Sequence, residues 1–273
     1  MTSRVSFQVP SEDEFREKLQ RFFSKHGYVA HGVPRDDDGE RADLLIENGL
    51  VRVLLELKIK GEDEDEDKRR GEILDSGEIY EYGDPSTRRN RLSALIKKGV
   101  SQLRNTPETA DFHLLWLHGA GRYAEHHAKR FVSTLYGSHL VLPTNRPLDV
   151  RQCYYFEDSE FFRHRETLVG VIVSSGKDCQ LCINDLCLHA AAFRNSSFRQ
   201  IFGQGYCDPT ELEQNSQAYI VDSNHVDRSD KNSVLMYLRN KYACESFIDI
   251  DIPINRFEIL GNSSLTRGNS DPT

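Results

Sequence analysis

The spacing of apolar residues along the first half of the chain alternates between a helical and a strand period. Phe15, Leu19 and Phe23 repeat on one helical face, and Ser11 with Glu14 three residues later forms a capping-box pattern. Short aliphatic runs between polar and glycine-containing segments predict strands. The predicted elements are helix 11–26, strand 28–33, strand 43–47, strand 51–58, helix 92–103, strand 112–118, helix 123–136 and strand 138–142. This order indicates an α/β fold with a mixed sheet.

The strands 43–47 and 51–58 are predicted to form a hairpin. They are joined through Asn48-Gly49, and both of these residues tolerate the positive φ that a type I′ turn requires. Residues 53–55 are three consecutive aliphatic residues, which favours a central strand covered on both faces. This buried strand nevertheless ends in charged residues, so its end is a candidate site for chemistry.

Three charged residues of the predicted hairpin share one face. Counting outward from a two-residue turn pairs Asp43 with Leu54 and makes Glu56 the diagonal neighbour of Asp43. Lys58 follows on the same face because strand side chains alternate. A divalent cation such as Mg2+ or Mn2+ relieves the repulsion between two carboxylates and can activate water, while an ammonium stabilises charge on a phosphoryl oxygen. The pattern predicts phosphodiester hydrolysis, and the alternative interpretation is a surface salt bridge.

These residues resemble the signature of the PD-(D/E)XK nucleases. In this chain the signature is Ala42-Asp43, twelve intervening residues and then Glu56-Leu57-Lys58, and the hairpin inside it resembles archaeal Holliday-junction resolvases and restriction-enzyme cores. The element order over residues 11–118 is similar to the common core of that family. The resemblance covers about the first 140 residues and implies a restriction-endonuclease-like mixed sheet flanked by helices. Ala42 stands where the family motif has proline.

The resemblance also implies roles for individual residues. Asp43 and Glu56 would be ligands of Mg2+ or Mn2+, and Lys58 would be the catalytic lysine. Glu12 is the chosen match for the first-helix glutamate of the family, although two other glutamates of the same helix compete with it. Gln102 matches a catalytic glutamine that several branches place on the helix after the motif.

Basic residues surround the predicted Gln102 helix. The stretch 88–104 contains six bases and no acid, although the whole chain has a formal net charge of -8. That net charge argues against a broadly basic nucleic-acid-binding surface but permits a local groove. The expected nucleic-acid-binding residues are Arg88, Arg89, Arg91 and Lys98. The resemblance favours DNA over RNA as the substrate, since most relatives of this core cut DNA.

The chain is expected to divide near Pro143 to Pro147. Residues 1–146 would form the nuclease-like core, with an irregular charged insertion at 61–90. Residues 147–260 would form a C-terminal α/β region for target recognition, oligomerisation or regulation. Its predicted elements include strand 168–175, a tight hairpin around Asn184-Asp185, helix 190–202 and helix 230–242. The polar residues 261–273 are expected to be a disordered tail.

The six cysteines are too few for a disulfide-stapled scaffold and are interpreted as reduced. Four residues with the spacing C-x2-C-x4-C-x-H offer enough ligands for a structural Zn2+. An apolar hairpin with buried thiols explains the same pattern without metal, and it is the preferred interpretation. The candidate zinc ligands are Cys179, Cys182, Cys187 and His189.

Several function classes are excluded or kept open by the remaining pattern. No window approaches ~18 consecutive apolar residues, and residues 1–10 lack a basic and then apolar segment, so a cytoplasmic protein without a membrane partner is expected. The resemblance implies an endonuclease of prokaryotic restriction or antiviral defence. One alternative is a catalytically silent nucleic-acid-binding or assembly module. Another is an effector nuclease activated by a partner or small ligand. A homo-oligomer or partner protein could use the C-terminal region.

Overall fold

The computed structural model describes residues 9–34, 41–61, 64–84, 90–146, 148–176, 178–250 and 254–258. Within those ranges the chain forms helices and three sheets, the largest being a mixed sheet of seven strands. The α/β class expected from the alternation of elements is therefore confirmed. None of the described helices is both long and apolar enough to cross a membrane.

Strands and helices alternate along most of the described chain. The strands are β1 (Val29–Gly32), β2 (Leu44–Glu47), β3 (Arg52–Lys60), β4 (Tyr80–Asp84), β5 (Phe112–Gly119), β6 (His139–Pro143), β7 (Arg151–Tyr154), β8 (Leu168–Ser175), β9 (Asp178–Ile183), β10 (Tyr206–Cys207), β11 (Ala218–Ile220), β12 (Phe247–Ile250) and β13 (Ile254–Glu258). The helices are α1 (Glu12–Lys25), α2 (Glu64–Asp75), α3 (Asn90–Asn105), α4 (Ala124–Tyr136), α5 (Glu160–Arg163), α6 (Ala190–Arg194), α7 (Ser197–Gln200), α8 (Pro209–Gln214) and α9 (Lys231–Tyr242).

The helix α1 begins as its sequence predicts. The Ser11 side chain accepts a hydrogen bond from the Glu14 N–H (3.2 Å), and the Glu14 carboxylate accepts one from the Ser11 N–H (3.1 Å). These two bonds satisfy backbone donors that the first turn of a helix leaves unpaired. Phe15, Leu19 and Phe23 are buried against the main sheet, which fixes the face that α1 turns inward.

The seven-stranded sheet has the order β1-β2-β3-β5-β8-β9-β10. The first three strands are antiparallel, β5 is parallel to β3 and β8 is parallel to β5. The central strands separate two apolar cores. One face, which we call the α3 face, carries Leu54 and Leu115 beneath α3 and α4. The opposite face, the α1 face, carries Leu55 and Trp116 beneath α1.

The β2 and β3 strands pair two residues out of the predicted register. Leu44 faces Leu55, and the Asp43 N–H donates to the carbonyl of that same Leu55 (3.1 Å), so the predicted pairing of Asp43 with Leu54 is wrong. A shift of two residues leaves the paired side chains of β2 and β3 on their original faces because strand side chains alternate. Asp43 lies outside this paired register.

The register differs because the hairpin turns one residue later than predicted. Asn48 and Val51 flank a two-residue loop, with the Asn48 N–H donating to the Val51 carbonyl (3.3 Å). Gly49 has a φ of 81° at the first loop position, where type II′ turns place glycine. The Asn48 side-chain oxygen accepts the N–H groups of Leu50 (3.1 Å) and Val51 (3.0 Å), and so closes the loop.

The strands after residue 147 extend the first sheet. β8, β9 and β10 lie beyond the expected division between 146 and 147, yet they complete the seven-stranded sheet. Every residue of β8 is buried, so this strand requires cover on both faces and lies at the centre of that sheet. β6 joins β7, β11 and β12 in a four-stranded sheet. The compact units are residues 1–61 with 88–251, and residues 62–87 with 252–273.

The second unit contains α2, β4 and β13. The predicted irregular character of 61–90 is wrong for residues 64–84, which form α2 and β4. Charged residues of α2 pair along the helix, as in the Asp67–Arg70 ion pair (2.9 Å). β4 pairs antiparallel with the distant β13, which no local pattern could reveal. The predicted tail at 261–273 lies outside the described residues.

Candidate active site

Asp43 and Glu56 lie close enough for the charge of Asp43 to act on the Glu56 carboxyl group. Asp43 directly precedes β2 and donates its N–H to the carbonyl of Leu55 (3.1 Å), the residue that faces Leu44. Glu56 lies within β3. The exposed fraction is 8% for Asp43 and 1% for Glu56. Two buried neighbouring acids repel each other when both are ionised, so this arrangement requires compensating positive charge or protonation.

Both side-chain oxygens of Asp43 accept hydrogen bonds. Oδ2 accepts the N–H of Leu57 (2.9 Å), and Oδ1 accepts a bond from Nη2 of Arg16 on α1 (2.9 Å). Arg16 also donates from Nη1 to Oδ1 of Asp13 (2.8 Å). The sequence interpretation missed Arg16. Its one signal is its position four residues after Glu12, which places the two on one face of α1.

Lys58 connects Glu56 to the covering helix α3. Its Nζ donates to Oε1 of Glu56 and to Oε1 of Gln102 (2.7 Å). Gln102 in turn donates from Nε2 to the Arg41 carbonyl (3.2 Å). The structure thus brings the four predicted catalytic residues into one connected cluster, which we call the acid cluster: Asp43, Glu56, Lys58 and Gln102.

Glu56 is the residue of the acid cluster whose ionised form is disfavoured by its surroundings. Its Oε2 is buried and makes no hydrogen bond within the described part of the chain. The pKa of Glu56 is raised to about 8, chiefly by burial and next by the charge of Asp43; the charge of Lys58 opposes the rise, and a side-chain hydrogen bond with Asp43 adds to it. A carboxyl group with such a pKa holds its proton near neutral pH. Perturbed groups with unspent bonding capacity are concentrated at functional sites.

The helix α3 packs unusually close to Glu56. A Cβ at Gly99 would lie 3.4 Å from Cγ of Glu56 and 2.8 Å from Cδ2 of Leu115, so a glycine permits this approach. At the end of α3, Thr106 Oγ1 accepts the Ala42 N–H (2.8 Å) and donates to the Gln102 carbonyl (2.7 Å). The helix therefore fixes the segment that precedes Asp43.

The donor set of the acid cluster fits a hard divalent cation. Carboxylate oxygens suit Mg2+ and Mn2+, and Oε2 of Glu56 has unused capacity to bind one. Among the residues that the structure describes, no group of three or more His, Cys, Asp or Glu side chains is placed to hold a metal. Glu12, the predicted third ligand, is exposed on α1 and is not brought into such a group. Asp43 and Glu56 would hold a cation with water and substrate oxygens completing its shell.

Two of the four predicted nucleic-acid-binding residues can be placed. Arg91 and Lys98 are exposed on α3, and Lys98 lies one helical turn before Gln102. Arg88 and Arg89 lie outside the described residues. The two residues that can be placed therefore form a basic helix flank that leads toward the acid cluster.

The cysteine-containing segment does not form the expected hairpin around Asn184-Asp185. Asn184 is fully buried and donates from Nδ2 to the carbonyls of Phe161 (3.1 Å) and Leu168 (2.8 Å), which ends β9 and turns the chain toward α6. Cys182 belongs to the core of the α3 face and Cys187 to that of the α1 face. The sheet thus separates these two thiols.

The separated thiols do not form a zinc site within the described residues. Cys179 and His189 are exposed, and neither belongs to a metal-holding cluster in the part of the chain that the structure describes. Burial raises the pKa of the Cys179, Cys182 and Cys187 thiols. A raised thiol pKa opposes formation of the thiolate that binds zinc.

A second buried polar cluster, the histidine cluster, lies on the α1 face. Ser174 Oγ accepts a hydrogen bond from Trp116 Nε1 (2.7 Å) and shares another with His118 Nδ1 (2.9 Å). The Phe15 ring packs on His118 with centroids 4.3 Å apart. Burial lowers the pKa of His118 to about 4, with a smaller effect from the charge of Lys18. The imidazole is therefore neutral at pH 7, and its Nδ1 can accept the serine proton.

Comparison of the chain with protein-family models, with curated proteins and with solved structures gives no match. Function therefore has to be argued from the site itself.

Proposed function

We propose that this protein is a divalent-metal-dependent nuclease with Asp43, Glu56 and Lys58 at its reaction centre. The observation that carries the proposal is a pair of buried neighbouring acids, one of which has an oxygen without a hydrogen-bond partner among the described hydrogen bonds. The order α1-β1-β2-β3-α3-β5, interrupted between β3 and α3 by α2 and β4, supports it, with β5 parallel to β3. That order is similar to the PD-(D/E)XK core and to the restriction-endonuclease-like fold.

The reaction is the addition of water to a phosphodiester. A bond forms from the water oxygen to phosphorus, the bond from phosphorus to one ester oxygen breaks, and a proton from water ends on the leaving oxygen. A bound divalent cation supplies stabilisation of phosphoryl charge and lowers the pKa of water. Lys58 Nζ stabilises the same charge, and Gln102 orients Lys58 through its Oε1.

DNA is the proposed substrate, and a role in prokaryotic restriction or antiviral defence is the proposed context. Arg91 and Lys98 on α3 supply local positive charge beside the acid cluster, while the whole chain has a formal net charge of -8. Binding through so few bases is expected to be weak and to depend steeply on salt. The preference for DNA rests on the resemblance to the nuclease signature.

A second candidate function is a silent nucleic-acid-binding module. Its supporting observation is that Arg16 pairs with Asp43 while Lys58 pairs with Glu56, so each acid has a resident cation. Such pairing balances charge without any metal. The silent module would bind DNA with no metal-dependent cleavage, whereas the nuclease would cleave it.

The test is incubation of the protein with supercoiled plasmid, linear duplex, single-stranded DNA and RNA, with Mg2+, Mn2+ or EDTA. We expect cleavage of DNA that requires the cation. Glu56→Gln and Lys58→Met should each lower the rate by about a thousandfold, since they remove a cation ligand and a charge on the reacting phosphate.

Two matched variants control for the chemical changes. Glu47→Gln alters an acid at the other end of the same hairpin, where it pairs with Arg52 (3.2 Å). Lys25→Met alters an exposed lysine at the end of α1. Both should cleave at the rate of the unaltered protein. Equal cleavage by Glu56→Gln and by Glu47→Gln, with both proteins folded, would overturn the assignment of the site.

A further inference from the structure

Arg16 holds a position in which its hydrogen-bonding capacity is only partly used. Its Nη2 donates to Asp43 (2.9 Å) and its Nη1 to Asp13 (2.8 Å). Its Nε is buried and makes no hydrogen bond in the described part of the chain. The Nε and Nη2 atoms form one edge of the guanidinium, the edge that binds carboxylate or phosphate through two parallel bonds. One of the two donors on that edge therefore makes no hydrogen bond among those described.

Each acid of the acid cluster is bonded to a cationic side chain of the protein. Asp43 and Glu56 are the two acids, and Arg16 and Lys58 are the two cations bonded to them. A divalent cation that binds both acids adds two positive charges beside Arg16. The guanidinium and the cation would then repel each other across Asp43, whose Oδ1 accepts a bond from Arg16 and whose Oδ2 accepts one from the Leu57 N–H.

We propose that Arg16 is an exchangeable counterion of the site, an inference that rests on the proposed nuclease function. Before the cation binds, Arg16 neutralises Asp43. With a cation held by Asp43, Arg16 would leave Oδ1 and present its complete Nε and Nη2 edge to a non-bridging oxygen pair of the substrate phosphodiester. Asp13 keeps the guanidinium close by, since the two residues are one helical turn apart on α1.

The proposal predicts that one variant binds Mn2+ more tightly but cleaves DNA less efficiently. Arg16→Gln removes the competitor for Asp43, so it should bind Mn2+ about tenfold more tightly, the size of effect that one charged hydrogen bond supports. The same variant lacks the phosphate-binding edge, so its kcat/KM for DNA should fall by about a hundredfold. A residue that only supports the fold would not tighten metal binding.

A conservative variant separates charge from geometry. Arg16→Lys keeps a positive charge beside Asp43 but lacks the planar fork. It should bind Mn2+ within about threefold of the unaltered protein and still lose most of the cleavage rate. The control is Arg21→Gln on the same helix, where the arginine is exposed and its Glu17 partner is 3.8 Å away. That control should change neither measurement.

The experiment measures free Mn2+ by electron paramagnetic resonance in titrations of the full chain, and cleavage of plasmid under the same conditions. Tighter Mn2+ binding by Arg16→Gln, abolished by the further change Asp43→Asn, supports the counterion role. Mn2+ binding that needs Glu56 but is not tightened in Arg16→Gln overturns the role while the proposed function stands. If neither protein binds Mn2+ through Glu56, both proposals fail. Full cleavage by Arg16→Gln overturns the phosphate contact.

Discussion

The strands β3, β5 and β8 carry a buried polar cluster on each face, and the two clusters differ in how completely they are satisfied. In the histidine cluster, one serine hydroxyl bridges Trp116 and His118, and Phe15 packs over the imidazole. In the acid cluster, two carboxyl groups lie close together and Oε2 of Glu56 has no hydrogen-bond partner among the described hydrogen bonds. Burial perturbs the pKa in both, so a perturbed pKa alone does not mark a functional site.

The contrast shows which property distinguishes a structural network from a reactive one. Ser174 has spent its donor and acceptor capacity on neighbours that are themselves fixed by packing, which favours a rigid joint between α1 and the sheet. Glu56 retains capacity that only a ligand or a proton can use. Glu108 and His164 also have buried atoms without a partner among the described hydrogen bonds, so the unsatisfied Oε2 supports the functional assignment only together with the neighbouring Asp43 and Lys58.

The largest expected effect that sharpens this contrast is the pH dependence of stability set by Glu56. The pKa of this carboxyl is raised from 4.5 to about 8 in the folded protein, so the folded state binds its proton more tightly than the unfolded chain does. The free energy of unfolding of the metal-free protein should consequently fall as the pH rises from about 4.5 to about 8. The loss should reach a few kcal/mol, since each pKa unit corresponds to about 1.4 kcal/mol.

Urea unfolding in EDTA between pH 5 and pH 8.5, followed through the fluorescence of the single tryptophan, measures this effect. Glu56→Gln should flatten the profile, and Glu47→Gln should leave it unchanged. Parallel profiles for Glu56→Gln and the unaltered protein would show that folding does not raise the pKa of Glu56.

The histidine cluster should respond to pH in the opposite direction and more weakly. The pKa of His118 is lowered from 6.5 to about 4, so the unfolded chain binds the proton more tightly. The contribution of His118 to stability is present above pH 6.5 and is lost as the pH falls toward 4, by on the order of 1 kcal/mol. His118→Gln should reduce the slope of stability against pH in that window. The exposed His225→Gln is the control, and equal slopes for the two variants would contradict the assignment.

The smallest expected effect is a packing change that reaches only the acid cluster. Gly99→Ala places a Cβ 2.8 Å from Leu115 Cδ2 and 3.4 Å from Glu56 Cγ, so the gain in helix propensity should be outweighed by crowding, with a net loss of about 1 kcal/mol. Gly71→Ala on α2 has no atom within 4 Å of the new Cβ and should instead stabilise by up to about 1 kcal/mol. Urea midpoints compare the two. An increase in stability in both variants would mean that the side chains next to Gly99 accept a Cβ without crowding.

Local sequence rules predict the elements whose causes are local. The capping box of α1 and the three aliphatic residues of β3 act within a few positions, and both predictions are confirmed. The predicted faces of the paired β2 and β3 residues are also retained despite an error in register, because alternation along a strand depends only on parity. The predicted position of the turn is wrong because the Asn48 side chain closes a loop one residue further on.

Contacts between distant segments could not be predicted in the same way. Arg16 and Asp43 meet because α1 packs beside the start of β2, and Thr106 reaches Ala42 from the far end of α3. Neither pair has a spacing that a helix or strand period would reveal. The predicted helix 190–202 likewise breaks in the structure, where the Ser196 side chain caps α7 by accepting the Arg199 N–H (3.3 Å).

Asp43 has a structural role in addition to its proposed role as a metal ligand. β2 begins at Leu44 while β3 runs on to Lys60, and the Asp43 carboxylate accepts the Leu57 N–H where the neighbouring strand has ended. The side chain thus takes the place of a backbone hydrogen-bond acceptor at the edge of the sheet. Replacing Asp43 would leave the Leu57 N–H without its acceptor and would also remove a proposed metal ligand. Loss of activity in an Asp43 variant would therefore combine an effect on folding with an effect on catalysis. Glu56, which holds no backbone group in the described hydrogen bonds, is the cleaner residue on which to judge the enzyme.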